Sequence, residues 1–216
     1  MVGAIITAAL IGALYGGFGG YTAGVVRFNN YSVNNELAKL GMEKMEYLFM
    51  QGGHGFSILG KTLIGGGGIG ASEKRINDTV EVTYSIGGGF FQVGHIPVSF
   101  GFFNPFLMLG IGGFGEGVRI RRRFQGLSWD SVWTNPEREV NISRGGFSIS
   151  PSIGFVIVPQ RIPVGLMAML SYNTILSREW RFDEGGELLN SPDSPLGSFS
   201  FSLSLIFGGG YDGKRD

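Results

Sequence analysis

Two histidines are the first residues to weigh for chemistry. His54 sits in Gly52-Gly53-His54-Gly55, with Ser57 and Glu46 close by in sequence. A serine, a histidine and an acid form a nucleophilic site when their side chains meet within hydrogen-bond reach. This spacing is common by chance. His95 lies in a turn-like segment, His95-Ile96-Pro97. A metal centre needs several convergent ligands, and no His/Asp/Glu cluster stands out in the sequence. There is no cysteine, which excludes a disulfide framework, a thiolate metal site and a cysteine nucleophile. Both histidines therefore read as structural, and no catalytic, metal-ligating or cofactor-binding residue is assigned.

The run Gly65 to Gly70 suggests a phosphate loop only superficially. No Gly-Lys-Ser/Thr follows it, and no helix pattern succeeds it. These glycines read as strand positions that admit bulky neighbours or a bend. A lumen widened by glycine is the alternative; a small barrel is normally filled by side chains. Arg119, Arg121, Arg122 and Arg123 form the strongest cationic cluster. Arg forks match phosphate oxygens, so at a membrane rim they would meet lipid phosphates such as those of lipopolysaccharide. The plainer role is a solvated loop paired with Asp130, Glu137 and Glu139. Tyr172, Trp180, Trp129 and Trp133 fall at or beyond the ends of apolar stretches, where interfacial aromatics belong.

The elements that position these residues follow from how charge is distributed. The chain has 216 residues, 39 of them glycine, and only 16% are charged. Lys+Arg and Asp+Glu are both 17, so the balance gives no argument for nucleic acid. Val82 to Gly115, Gly145 to Gln160, Ile162 to Ser177 and Ser194 to Tyr211 carry no Asp, Glu, Lys or Arg. A soluble domain scatters charge along its strands, whereas a membrane protein confines it to what leaves the bilayer.

Ser198 to Phe207 makes the period explicit. Phe199, Phe201, Leu203, Leu205 and Phe207 fall on one face and Ser198, Ser200, Ser202 and Ser204 on the other. Period two predicts a strand. Neither face is charged, which suits lipid on the apolar side and a tight lumen on the serine side, and about ten residues suffice for a tilted strand to cross. At this stretch the chain resembles small eight-stranded bacterial outer-membrane β-barrels, whose last strand alternates in the same way and ends in Phe. The resemblance implies location in the bacterial outer membrane, contact with membrane lipids, and no cofactor.

Along the chain, strands are expected at Gly16–Phe28, Tyr47–Ile58, Thr62–Ala71, Thr79–Gln92, Ser99–Gly115, Phe147–Val158, Val164–Ile175 and Ser198–Phe207. Asn104-Pro105 predicts a bulge or bend in the fifth. Val33, Leu37 and Leu40, with Ser32 as N-cap and Gly41 as stop, predict a short helix in the first long loop. Loops Glu116–Arg144 and Leu176–Leu196 are long, while the connections at Gly60-Lys61, His95 to Pro97 and Pro159 to Pro163 are short. The fold expected is all-β: an up-and-down antiparallel transmembrane barrel of about eight strands over residues 16–207. Residues 1–15 form an apolar lead-in and 208–216 a tail, in a single domain spanning 1–216. Val2 to Val26 is uncharged, with Gly12, Gly16, Gly20 and Gly24 at four-residue spacing; it is read as lead-in and strand rather than as a spanning helix. It has no basic n-region and no Ala-x-Ala site, so it is not read as an export signal. A soluble lipocalin-like barrel, with the phenylalanines inside, is the rival fold. The expected role is structural or loop-mediated binding without enzymatic activity. A narrow solute channel and a lipid-modifying barrel enzyme are the alternatives.

Overall fold

In a computed structural model, the described residues are 14–28, 31–100, 102–123, 139–158, 163–177, 179–183, 185, 188, 191 and 196–210. They form β1 (Leu14–Phe28), α1 (Tyr31–Lys39), β2 (Tyr47–Leu59), β3 (Thr62–Ile76), β4 (Val80–His95) and β5 (Phe103–Arg122). After these come β6 (Glu139–Ile157), β7 (Val164–Ser177), β8 (Arg181–Phe182) and β9 (Leu196–Gly210). Every pairing is antiparallel: β1 to β7 pair in sequence order, β7 pairs with β9, and β9 pairs with β1. Leaving aside the two-residue β8, which only edges β6, the strands close into an eight-stranded barrel. Closure satisfies every strand edge, the condition for strands to cross a bilayer. Gly16 to Phe28, open to a helical reading from glycine spacing, is strand throughout.

The faces of β9 discriminate between the membrane and soluble barrels. Ser198, Ser200, Ser202 and Ser204 are at most 5% exposed and line the bore, whereas Phe199, Phe201, Leu203, Leu205 and Phe207 are 45–56% exposed and point outward. A soluble barrel would have turned the phenylalanines inward. The outward apolar surface continues around the wall through Leu166 and Leu170 of β7, Ile149 and Ile153 of β6, and Leu107, Leu109 and Ile111 of β5. A contiguous apolar band of this size costs too much in water and marks contact with lipid.

The bore is filled in three layers. At the end with short turns, Phe18, Phe56, Leu63, Phe106, Met108, Val156, Met167 and Ile206 form one buried apolar cluster. Above it lies a polar layer. There, Thr22 and Ser204 share a hydrogen bond of 2.7 Å, and Ser152 donates to Ser171 at 2.8 Å. Asn173 accepts from Ser150 and donates to Ser198 at 3.2 Å. Toward the loop end, Val26, Leu37, Met45, Leu48, Val82, Tyr84, Val118 and Trp180 form the second apolar cluster. Inward glycines are part of this packing. A Cβ at Gly52 or Gly112 would run into a carbonyl of the neighbouring strand, so these glycines let adjacent strands lie close together.

Helix α1 enters the loop end of the bore. Leu37 is 1% exposed. The helix ends in a Schellman motif, with Gly41 at φ +70°, Gly41 N–H donating to Ala38 O at 3.0 Å and Met42 N–H to Leu37 O at 2.9 Å. Two asparagines fasten it. Asn34 accepts from Met45 N–H at 2.8 Å, and Asn77, in the β3–β4 turn, donates to Leu40 O at 2.9 Å. The helix starts at Tyr31, so Ser32 lies inside its first turn rather than capping it.

Several expected boundaries are corrected. Glu116–Arg144 is not one loop: β5 continues to Arg122 and β6 resumes at Glu139. Ser72 to Ile76, expected as loop, belongs to β3, and the barrel extends at its other end to Gly210. The charges in these segments mark exit from lipid, not the end of the strands. Asn104-Pro105 makes no bulge; Pro105 pairs with Phe155 in unbroken register. The β4 ladder begins only at Leu107, so the missing proline N–H removes no bond on that side.

From the closed antiparallel ladder, the purified protein is expected to give β-dominated circular dichroism in detergent and to migrate differently on gels before and after boiling. A helix-dominated spectrum would contradict the fold.

Candidate functional site at the loop end

Along β5 the outward face changes character toward the loop end. On β5 it reads Leu107, Leu109, Ile111, then Gly113, Gly115, Gly117, then Arg119 and Arg121. In register with Gly117 stand Ser85 of β4 and Ser143 of β6. At ~3.3 Å per residue and a tilt of ~40°, Arg119 stands roughly 20 Å above Ile111. The inward face changes oppositely, from Gln92 and Ser150 at mid-bore to Val82, Tyr84, Val118 and Ile142. Above the apolar band, the wall formed by β4, β5 and β6 is thus largely apolar within and polar without.

The arginine cluster is on this raised wall. Arg119 pairs with Glu139 at 3.1 Å and donates to Asn141 Oδ1 at 3.2 Å. Lys74 and Glu81 pair at 2.8 Å beside it. Arg123 donates to Asn77 O at 3.1 Å, and Arg121 and Arg122 are exposed. Exposed pairs of this kind contribute little to stability; they leave a surface of mixed charge standing clear of the band.

Inside the same level is a buried charged group that local sequence did not reveal. Glu116 and Arg144, on paired strands, form an ion pair with side chains 0% and 5% exposed. Tyr84 donates its hydroxyl to Glu116, and the Arg144 guanidinium lies 4.7 Å from the centre of the Trp180 ring. The period-two position of both residues on inward faces was the available signal. Their separation across a long connection hid the pairing.

Trp180 itself corrects an expectation. It is 3% exposed and packs in the inner apolar cluster, not at an outer interface. Arg144 attracts its ring, and β8 pairing to β6 carries it over the mouth. Tyr172 does lie on the outer face, its ring 4.7 Å from that of Phe199. Trp129 and Trp133 lie outside the described residues.

The serine–histidine–acid set does not assemble. His54 points into the bore and stacks on Phe56 at 5.9 Å. Ser57 is an odd number of positions away on the same strand, so it faces the other side of the wall. Glu46 is exposed before β2 begins. Neither ring nitrogen of His54 has a hydrogen-bond partner among the described residues, and the same holds for Gln92 Oε1 and Ser148 Oγ.

No protein-family model matches the chain, and no curated protein sequence does. Among solved structures, it is similar to Ail, the attachment invasion locus protein of Yersinia pestis, solved in complex with the heparin analogue sucrose octasulfate. Identity there is 9% over 89% of this chain and 97% of that one, with a TM-score of 0.45. Neisserial surface protein A is 10% identical over 90% of this chain and 97% of its own, TM-score 0.47. The outer-membrane protein AlkL, determined in lipid bilayers, is 12% identical over 94% of each chain, TM-score 0.45. What the chain resembles is therefore a set of small outer-membrane β-barrels, and its own architecture is a closed eight-stranded antiparallel barrel.

Proposed function

We propose that this protein resides in a bacterial outer membrane with its long connections outside, that it does not conduct solutes, and that it acts by binding at its loop end. The observation that carries this reading is the bore itself, crossed by an apolar cluster on each side of a polar layer. A conducting pore needs a continuous polar path. The raised wall supplies the surface for binding, presenting Arg119, Arg121, Arg122 and Arg123 together with Lys74, Glu81 and Glu139. At the height reached by Arg119, these side chains would meet the saccharide portion of lipopolysaccharide and its phosphates rather than the hydrocarbon edge. The reading includes no catalysis. His54, the side chain that an embedded lipid-modifying enzyme would most readily use, faces the bore with Ser57 turned away.

Planar-bilayer recording tests it. The refolded protein is expected to insert without stepwise conductance. Regular current steps that disappear when the chain is inactivated would establish the channel alternative. Turnover of added phospholipid or lipopolysaccharide, lost on His54→Ala, would establish the enzyme.

A further inference from the structure

Below the raised arginines, the outer wall carries a groove. It is a depression of about 840 Å³ whose lining includes Ser85 and Gly87 of β4, Gly115 and Gly117 of β5, and Ser143 and Gly145 of β6. Arg119 and Asn141 border it toward the loops, and Asp183, just past β8, borders it at the side. A second depression of about 430 Å³ meets it at Ser143 and Gly145 and brings in Phe147, Glu179 and Arg181.

The barrel itself does not require the glycines of this floor. At Gly87, Gly115, Gly117 and Gly145 a Cβ would meet its nearest neighbour at 3.4–3.7 Å, an ordinary contact, whereas at the inward Gly112 it would run into Gly89 O. Glycine weakens a strand interior and often marks a place where a ligand comes close. The groove is also continuous with the lipid-facing band. Phe91, Ile111 and Ile149 lie in register as one outward row of that band. Further toward the loops come the row Gly87, Gly115, Gly145 and then the row Ser85, Gly117, Ser143. A lipid whose acyl chains lie on the band therefore carries its headgroup into the groove.

The bordering side chains set the chemistry of that headgroup. Arg119 is in register with Asn141, and Arg181 with Ser143, on opposite sides of β6. At ~4.8 Å between neighbouring strands, the two stand roughly 10 Å apart across the sheet. A guanidinium fork matches phosphate oxygens. Between the two, the Ser143 hydroxyl, the Asn141 amide and the Asp183 carboxylate supply the mixture of donors and acceptors that sugar hydroxyls need. A groove of this volume takes a headgroup the size of a disaccharide rather than a phosphoethanolamine.

We infer that the groove seats the phosphorylated saccharide headgroup of a membrane glycolipid, with its phosphates on Arg119 and Arg181 and its acyl chains running down the wall past Phe147 and Ile111. The inference rests on the reading that places the long connections outside, and it names a ligand and a seat for the binding surface described there.

The test compares purified bisphosphorylated lipid A with phosphatidylglycerol, an anionic lipid without sugar. Each is titrated into refolded full-length protein in detergent, and retained lipid is counted by native mass spectrometry once unboiled gel mobility has confirmed the barrel. The wild type is expected to retain one lipid A about tenfold more tightly than phosphatidylglycerol, the ratio that one charge-assisted hydrogen bond supplies. Arg119→Gln combined with Arg181→Gln should remove that preference. Gly115→Leu, which fills the groove and leaves its charges in place, should do the same, and Gly87→Leu serves if Gly115→Leu fails to fold. Equal retention of the two lipids, or a preference unchanged in the filled variant, would overturn the site. So would a dimer lost in the filled variant, because a second copy would then occupy the groove. Orientation is read separately on whole cells with an impermeant thiol reagent: Asp78→Cys, at the loop end, should react and Lys61→Cys, at the short-turn end, should not. The reverse labelling would overturn the outside placement of the long connections; the expected labelling with equal lipid retention would overturn the groove alone.

Discussion

Ser202→Arg is expected to prevent the barrel from forming, although the residue next to it tolerates the same change better. Ser202 is 2% exposed and lies in register with Gly24 on one side and Met169 on the other. An Arg there must displace side chains from a filled layer, and overpacking alone costs about 1–3 kcal/mol. It also buries a cation without a carboxylate in register, a penalty of several kcal/mol. Leu203→Arg instead points outward at the middle of the apolar band. In barrels of this kind that costs about 2–4 kcal/mol at the bilayer midplane. Ala23 and Ala168 flank Leu203 in register, and their small side chains let a long Arg bend along the wall toward the interface. Folding yield into lipid vesicles, scored by unboiled gel mobility, should rank wild type above Leu203→Arg and Leu203→Arg above Ser202→Arg. Wild-type yield for Ser202→Arg would contradict the inward placement of the serine face.

The second large effect concerns the buried pair. Arg144→Met is expected to destabilise by about 3–5 kcal/mol, because it leaves the Glu116 carboxylate inside an apolar cluster without its cation. Tyr84 remains as a donor to Glu116, but a neutral hydroxyl does not replace a guanidinium. The double replacement Glu116→Gln with Arg144→Met removes both charges and should recover most of the loss. The recovery will be incomplete, since the contact of Arg144 with the Trp180 ring, a stacking worth about 0.5–2 kcal/mol, disappears in both variants. Urea unfolding in detergent, followed by circular dichroism, measures the three proteins. Equal stability of the single and double variants would show that the cost is not one of uncompensated charge.

Much of the architecture was legible in the amino-acid sequence because its signals are local. Alternation in Ser198 to Phe207 determines a strand with an apolar and a small polar face, and the absence of charge on both faces points to lipid rather than water. Long and short connections in turn imply an up-and-down barrel with its loops at one end. Val33, Leu37 and Leu40 before Gly41 specify a short helix whose apolar side must be covered.

Only the tertiary structure decided where the membrane-facing part of each strand stops. In β9 the large side chains point out and the serines in; at the loop end of β4, Val82 and Tyr84 point in and Glu81 and Ser85 do not. Both segments alternate with the same period. The difference is the solvent outside the wall, and no single strand records it. It emerges when register sets Ser85 beside Gly117 and Gly117 beside Ser143, an outward row of small and polar residues across β4, β5 and β6. The same cause explains the charged stretches that read as loops and prove to be strand. It also explains Trp180, whose place is set by β8 joining β6 and by Arg144 rather than by its own neighbours. Glu116 and Arg144 meet only because two strands pair across a long connection, and their burial in an apolar cluster is a property of the closed barrel, not of either strand.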